Sequence, residues 1–234
     1  SNIQGMPTWY TIRVSEKGYF ARVEQSEIVV AMNPATLAKE LESVLPGGVL
    51  FYTDDLTLPF QRDDITVYPM AVKKIMKESE IPTNLRTYIA NMVYVGVVAQ
   101  MLNISLDAIY EAVHFNFGGK QSAVDSNFSV IKKAAEWAEQ NLTKIDPFYV
   151  EPMDKTKDWI MADGNTAGAL GSIFGGIQMT AWYPITPASS LVEALIEYMP
   201  KYRVDPETGK NTYAIVQAED ELSAIGMAVG AGWA

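Results

Sequence analysis

The sequence predicts an α/β protein made of two doubly wound units, and three observations carry that prediction. Short apolar runs of the kind that strands buried on both faces show, IVVAM (28–32) and TYAIVQ (212–217), each pass into a helical pattern. A segment with two prolines, mixed charge and no periodicity, LTKIDPFYVEPMDKTKDW (142–159), interrupts the chain. After it the alternation of strand and helix begins again.

In chain order, WYTIRV (9–14) alternates with the two-residue period of a half-buried strand, EKG (16–18) supplies a turn, and YFARV follows, so a hairpin is expected. IVVAM is followed by Asn33 as helix cap and Pro34 at the first helical position. Leu37, Leu41 and Leu45 recur every four residues, PGG (46–48) ends that helix, and VLFY (49–52) completes a β-α-β unit with a parallel sheet. Beyond ITVYPM the pattern turns helical through NLRTYIANMVYVGVVAQMLN, SLDAIYEAVHFNF and NFSVIKKAAEWAEQN, helices expected to cover the sheet or an interface. The domain reading is therefore 1–141, a linker at 142–160, and a second domain at 161–234.

In the second domain, Ala167, Leu170, Gly171 and Phe174 form one stripe of a helix capped by Asn165. TAWY is a strand, Leu191, Ala194, Leu195 and Tyr198 mark a helix, TYAIVQ is a strand, AEDE a bend, and a helix rich in Ala and Gly runs on from Leu222.

Composition narrows the function. With 234 residues, 48% of them hydrophobic, the chain can pack a substantial core. A net charge of −10 disfavours nucleic acid or an anionic membrane as partner. No cysteine is present, so there is no disulfide, and any iron–sulfur cluster would sit on another subunit. No uninterrupted apolar run approaches the roughly 18–20 residues of a spanning helix and no signal sequence opens the chain, so a cytoplasmic protein is expected. The opening without methionine and the close on SAIGMAVGAGWA suggest a piece of a longer chain, cut at both ends.

Ligands of open parallel sheets bind outside the carboxyl ends of the strands, which directs attention to YPITPASS and QAEDE. Thr186 before Pro187 matches a helix N-cap with proline at the first helical position, which explains both residues. Pro184 is left over. Two prolines around Ile185 and Thr186 hold that backbone in a narrow range, as suits a hydroxyl and amides arranged to receive a carboxylate-bearing substrate. In QAEDE, Glu219 and Asp220 read as solvated acids that complement a helix dipole. Glu221 precedes a smooth face of Ala224, Ala228 and Ala231 that can pack on a partner or a flat cofactor, a setting for a semi-buried carboxylate that shares a proton. His114, the single histidine, reads as core or interface, and no His/Cys cluster suggests a metal. GNTAGALGSIFGG lacks the Gly-Lys-Ser/Thr of a phosphate-binding loop.

Taken together and in order, GNTAGALGSIFGG, AWYPITPASSLVEAL and YAIVQAEDELSAIGMAVGAG resemble the α-subunit of 2-oxoacid:ferredoxin oxidoreductases. SNIQGMPTWYTIRVS resembles a segment of the same family's γ domain, so the layout is similar to a fused γ-α subunit. The resemblance implies that 161–234 belongs to a thiamine-diphosphate-binding domain of the pyrimidine type. It implies oxidative decarboxylation of a 2-oxo acid, with 2-oxoglutarate expected, transfer of the acyl group to coenzyme A, and passage of electrons through iron–sulfur clusters to ferredoxin. Glu221 is implied to hydrogen-bond the aminopyrimidine ring of the cofactor, and Thr186 to contact the substrate's carboxylate or carbonyl. Magnesium and the 4Fe–4S clusters are implied to lie on a cysteine-containing β-subunit, in a hetero-oligomer. Thr166 stands where some relatives carry Glu, and no role passes to it. Another thiamine-dependent decarboxylase or transferase, or a non-catalytic α/β scaffold, are the alternatives.

Overall fold

The computed structural model describes residues 7–19 and 21–234, so the first six residues of SNIQGMPTWY and Phe20 of YFARV lie outside the described residues. Two compact units are present, Ser1–Met153 and Asp154–Ala234. Among the described residues no helix is long and apolar enough to cross a membrane.

The first unit is built on a three-stranded parallel sheet in the order β1 (Ser26–Ala31), β2 (Val44–Thr53), β3 (Thr66–Met70). The expected β-α-β unit is there, with α1 (Leu37–Ser43) between β1 and β2. Period-two alternation sends successive residues of β2 to opposite faces, and each face has its own core. Val49 and Phe51 join Tyr68, Met70, Ile75, Val93, Val97 and Val130 on one side. Leu50 joins Ala31, Leu37, Leu41 and Val44 on the other. The first of these cores is covered by α2 (Val72–Glu78), α4 (Asn91–Leu102) and α6 (Gln121–Asn141), with the short α3 (Arg86–Ile89) leading into α4. The fifth helix, α5 (Leu106–Asn116), has no buried residue, and His114 lies exposed on it near Tyr110 rather than in a core.

Three local expectations are corrected here. The hairpin is not formed: residues 7–19 and 21–25 contain no strand, although the turn at Glu16–Lys17 is present. A hairpin needs a face to pack, and Tyr10, Ile12 and Val14 point to solvent. The segment is tied down instead by Trp9, whose Nε1 donates to Glu40 Oε1 at 3.0 Å while Lys39 lies 4.6 Å from its ring centroid. Asn33 and Pro34 do not begin the helix. Asn33 Oδ1 accepts from the Ala35 amide at 2.9 Å, a local turn that competes with capping, and α1 starts three residues later with Thr36 as its N-terminal flank. Pro46-Gly47-Gly48 does not follow a helix directly either: Leu45 is already in β2, and 45–48 bulge out between the pairs Ser26–Val44 and Ile28–Val49. A Cβ on Gly48 would lie 2.6 Å from Glu27 O, so the return of β2 to β1 requires glycine.

The start of the 142–160 segment packs on the first unit. Leu142 and Phe148 lie against its larger core. Asp146 is buried and receives hydrogen bonds from Tyr68 Oη (2.7 Å), Lys144 Nζ (2.7 Å) and the Phe148 amide (2.9 Å). The Ile145 amide in turn donates to Tyr68 Oη at 3.0 Å. Burial pushes the Asp146 carboxyl up, but its three donors together outweigh burial and hold it below the ordinary carboxylate value. Burial raises the Tyr68 hydroxyl.

The second unit has α7 (Gly164–Phe174), β4 (Met179–Trp182), α8 (Ser189–Tyr202), β5 (Ala214–Gln217) and α9 (Glu221–Trp233), with β4 and β5 paired in parallel. Ala169 and Ile173 of α7 pack on Ala194, Leu195 and Met199 of α8. The expected stripe of Ala167, Leu170, Gly171 and Phe174 is therefore rotated from the buried face, and Phe174 is 72% exposed. Both stripes have helical spacing, and only the position of α8 selects between them.

Two outcomes test the packing of the first unit. A Cβ at Gly96 would collide with the Ile131 carbonyl oxygen and lie 2.7 Å from Ala134 Cβ, so α4 and α6 approach closely only because residue 96 is glycine. Gly96→Ala is expected to cost about 1–3 kcal/mol of unfolding free energy in this unit by denaturant titration, and an unchanged midpoint would contradict the close approach. Asp146→Asn is expected to cost about 1–3 kcal/mol at neutral pH. Because the Asp146 carboxyl is lowered on folding, the wild-type advantage is present above the ordinary value of 3.8 and disappears as pH falls through the lowered one. Denaturation of both proteins across acid pH reads this directly.

Candidate active-site edge

Parallel pairing of β4 with β5 sets Met179 opposite Ala214 and Trp182 opposite Gln217, so both strands end at one edge. The pairing extends one step further, with the Ala218 amide donating to the Trp182 carbonyl at 2.7 Å. YPITPASS and AEDE, the segments that carry Thr186 and Glu221, thus leave the sheet side by side. At the corresponding edge of the first sheet, Asp55 accepts from Thr53 Oγ1 and pairs with Lys73 Nζ at 2.6 Å.

Residues 186–188 form a turn, and α8 begins only at Ser189, with Ala188 as its flank and no side-chain cap. Thr186 is therefore not the N-cap, and Pro187 is not the first helical residue, as the sequence had suggested. The Ser189 amide donates to the Ile185 carbonyl at 3.1 Å, so the backbone closes this turn without the Thr186 hydroxyl. The Thr186–Pro187 peptide bond is cis. The Thr186 hydroxyl has no hydrogen-bond partner among the described residues and lines a concavity of about 270 Å³ with Pro187, Ser189, Ser190 and Glu193.

At the other segment, Asp220 is the N-cap of α9 and accepts from the Ser223 amide at 2.7 Å. That backbone donor, with the Ser223 side chain, lowers the Asp220 carboxyl below its ordinary value. Glu221 is the first residue of α9. It is exposed rather than semi-buried, and its carboxylate has no hydrogen-bond or ion-pair partner among the described residues. Of the expected smooth face, Ala224 is buried, while Ala228 and Ala231 are exposed. Leu222, Ile225 and Trp233 are also exposed, at 81%, 64% and 89%.

The helix before β4 is capped by Asp163, not by Asn165. Asp163 accepts from the Thr166 amide at 2.9 Å and from the Thr166 hydroxyl at 2.8 Å, and these donors lower its carboxyl. The Asp-Gly-Asn-Thr order carried this signal, since the cap precedes its donor by three residues. Asn165, freed from capping, donates through Nδ2 to Pro187 O at 2.9 Å and to Ser190 Oγ at 2.6 Å. These contacts span 22 and 25 residues, and nothing in the local sequence announces them. Among the described residues, no group of three His, Asp or Glu side chains is placed to hold a metal ion.

Known proteins resemble this chain in sequence and in fold. The α-subunit of a 2-oxoacid:ferredoxin oxidoreductase from Sulfolobus sp is 31% identical, covering 99% of this chain and 42% of that one. The α-subunit of 2-oxoacid:ferredoxin oxidoreductase 1 from Sulfurisphaera tokodaii is 26% identical over the same shares. The chain thus spans about two fifths of the length of these relatives. A solved structure of 2-oxoglutarate:ferredoxin oxidoreductase from Magnetococcus marinus, with 2-oxoglutarate, coenzyme A and succinyl-CoA bound, superposes with a TM-score of 0.72 and 29% identity, over 88% of this chain and 34% of that one. Residues 170–234, which contain both Thr186 and Glu221, match the thiamine-diphosphate-binding model of pyruvate flavodoxin/ferredoxin oxidoreductase. With residues 1–137 matching the model of pyruvate ferredoxin/flavodoxin oxidoreductase as well, the chain belongs to that oxidoreductase family.

Proposed function

We propose that this chain is part of the γ-α-type subunit of a 2-oxoacid:ferredoxin oxidoreductase. Residues 1–141 would be its γ-like domain, 142–160 a connection, and 161–234 part of the pyrimidine-binding domain. One observation carries the reading: a single sheet edge presents a hydroxyl, Thr186, and a carboxylate, Glu221, neither engaged by the described residues.

The residues at this edge suit the organic part of thiamine diphosphate. Glu221 is an acceptor at the first turn of a helix, suited to a protonated nitrogen of the aminopyrimidine ring. The diphosphate, its magnesium and the 4Fe–4S clusters are assigned to a cysteine-containing β-subunit, in keeping with a chain that carries no cysteine. Exposed Leu222, Ile225 and Trp233 suit burial against such a partner. When bound, thiamine diphosphate supplies the nucleophilic carbon and the electron sink for decarboxylation.

The protein's own contribution is placement and proton control. Glu221 would hydrogen-bond the aminopyrimidine ring and, as a carboxylate, favour the protonation state in which that ring can take a proton. Thr186 would donate to the carboxylate or carbonyl of the 2-oxo acid, with its hydroxyl left free because backbone groups close its turn. The substrate is 2-oxoglutarate, the acyl acceptor coenzyme A and the electron acceptor ferredoxin, in a cytoplasmic hetero-oligomer.

In the complex assembled with its partner subunit, Glu221→Gln is expected to lower 2-oxo acid-dependent ferredoxin reduction by at least about 100-fold with assembly intact. Full activity would sink the Glu221 assignment. Assaying the wild-type complex with 2-oxoglutarate, pyruvate and branched 2-oxo acids tests the substrate, and preference for either of the last two would overturn 2-oxoglutarate.

A further inference from the structure

We infer that Asn165 is a positioning residue for the substrate-facing turn, acting on Thr186 through the Pro187 carbonyl, and that Ser190 belongs to this clamp rather than to the ligand. The inference rests on the reading that Thr186 meets the substrate.

The turn is exposed, so packing does little to hold it. Its conformation is restricted by the ring of Pro184, the ring of Pro187 and the Ser189 amide bonded to Ile185 O. Asn165 adds a direct restraint on the peptide plane that follows Pro187. Its Nδ2 carries two hydrogens, and two acceptors face it: Pro187 O at 2.9 Å and Ser190 Oγ at 2.6 Å. Ser190 Oγ in turn donates to Pro187 O at 3.2 Å, so three groups close a triangle on one carbonyl. A carbonyl oxygen can only accept, which requires the amide nitrogen of Asn165, not its oxygen, to face the turn.

The clamp stands on a firm base. Asn165 lies in the first turn of α7, which Asp163 caps, and α7 is packed on α8 through Ala169, Ile173 and Leu195. A side chain on one helix thereby sets the entry of the next. It also sorts the hydroxyls around the concavity: that of Ser190 is occupied by the clamp, while those of Thr186 and Ser189 have no partner among the described residues. Aspartate at 165 would set a second acceptor against Pro187 O while keeping the side-chain volume, which makes it the diagnostic substitution.

The test is steady-state kinetics of 2-oxo acid-dependent reduction of a ferredoxin-type acceptor by the complete complex. Wild type is compared with Asn165→Ala, Asn165→Asp, Thr186→Val and the double variant Asn165→Ala/Thr186→Val. Each Asn165 variant is expected to lose about 10- to 100-fold in kcat/KM with assembly and thermal midpoint retained, and the double variant to be no worse than Thr186→Val alone. If Asn165→Ala fails to assemble, the isosteric Asn165→Asp, alone and combined with Thr186→Val, decides on the same criterion. Wild-type kcat/KM in both Asn165 variants, or losses that multiply with that of Thr186→Val, would overturn the inference while leaving Thr186 in place. Wild-type kcat/KM in Thr186→Val would instead overturn the substrate reading on which it rests.

Discussion

Everything at the candidate site depends on the parallel pairing of β4 with β5. An antiparallel pair would send the ends of two consecutive strands to opposite edges, whereas a parallel pair sends both to the same edge. Here the pairing runs from Met179–Ala214 to Trp182–Gln217 and continues with the Ala218 amide on the Trp182 carbonyl. A hydroxyl on one connection and a carboxylate on the other are thus brought to one edge although 35 positions separate Thr186 from Glu221 in the chain. The helices that follow are fastened by residues beside those two: Asp220 caps α9, and Asn165 and the Ile185 carbonyl secure the start of α8.

This division of labour leaves the functional side chains unoccupied. At a helix start one oxygen acceptor suffices for a cap. At α9 that acceptor is Asp220, which releases Glu221. Before α8 it is a main-chain carbonyl, which releases Thr186. The first unit uses its polar groups differently. Asp146 is enclosed by Tyr68, Lys144 and a backbone amide, and Asp55 is bonded to Thr53 and Lys73, so these two acids fasten segments of the chain to one another. Close packing of α4 on α6 at Gly96 likewise has an architectural purpose.

Most elements were legible because their signals are local. The apolar runs of β1, β2 and β5 and the stripe of Leu191, Ala194, Leu195 and Tyr198 on α8 each have a period that the backbone must obey. The start of α1 was misread because Asn33 can bond the Ala35 amide as readily as cap a helix, and the stretch after Pro34 settles into the turn. The hairpin at 9–23 was misread because alternation of side chains describes any extended segment, paired or not. The buried face of α7 was misread because two stripes of equal spacing lie on that helix, and the choice between them belongs to α8.

By itself the sequence determined the α/β class, the strands β1, β2, β4 and β5, and the two connections on which Thr186 and Glu221 lie. Those follow from periodicity, proline and the residues that begin helices, all of which act within a few positions. Only the tertiary structure decided that Asp163 rather than Asn165 caps α7, that the Thr186 hydroxyl is left out of its turn, and that Asn165 reaches Pro187 and Ser190 from a helix more than twenty residues away. The physical reason is that a hydrogen bond is chosen by distance and angle in space, and a side chain with several eligible partners in sequence has that choice made by packing.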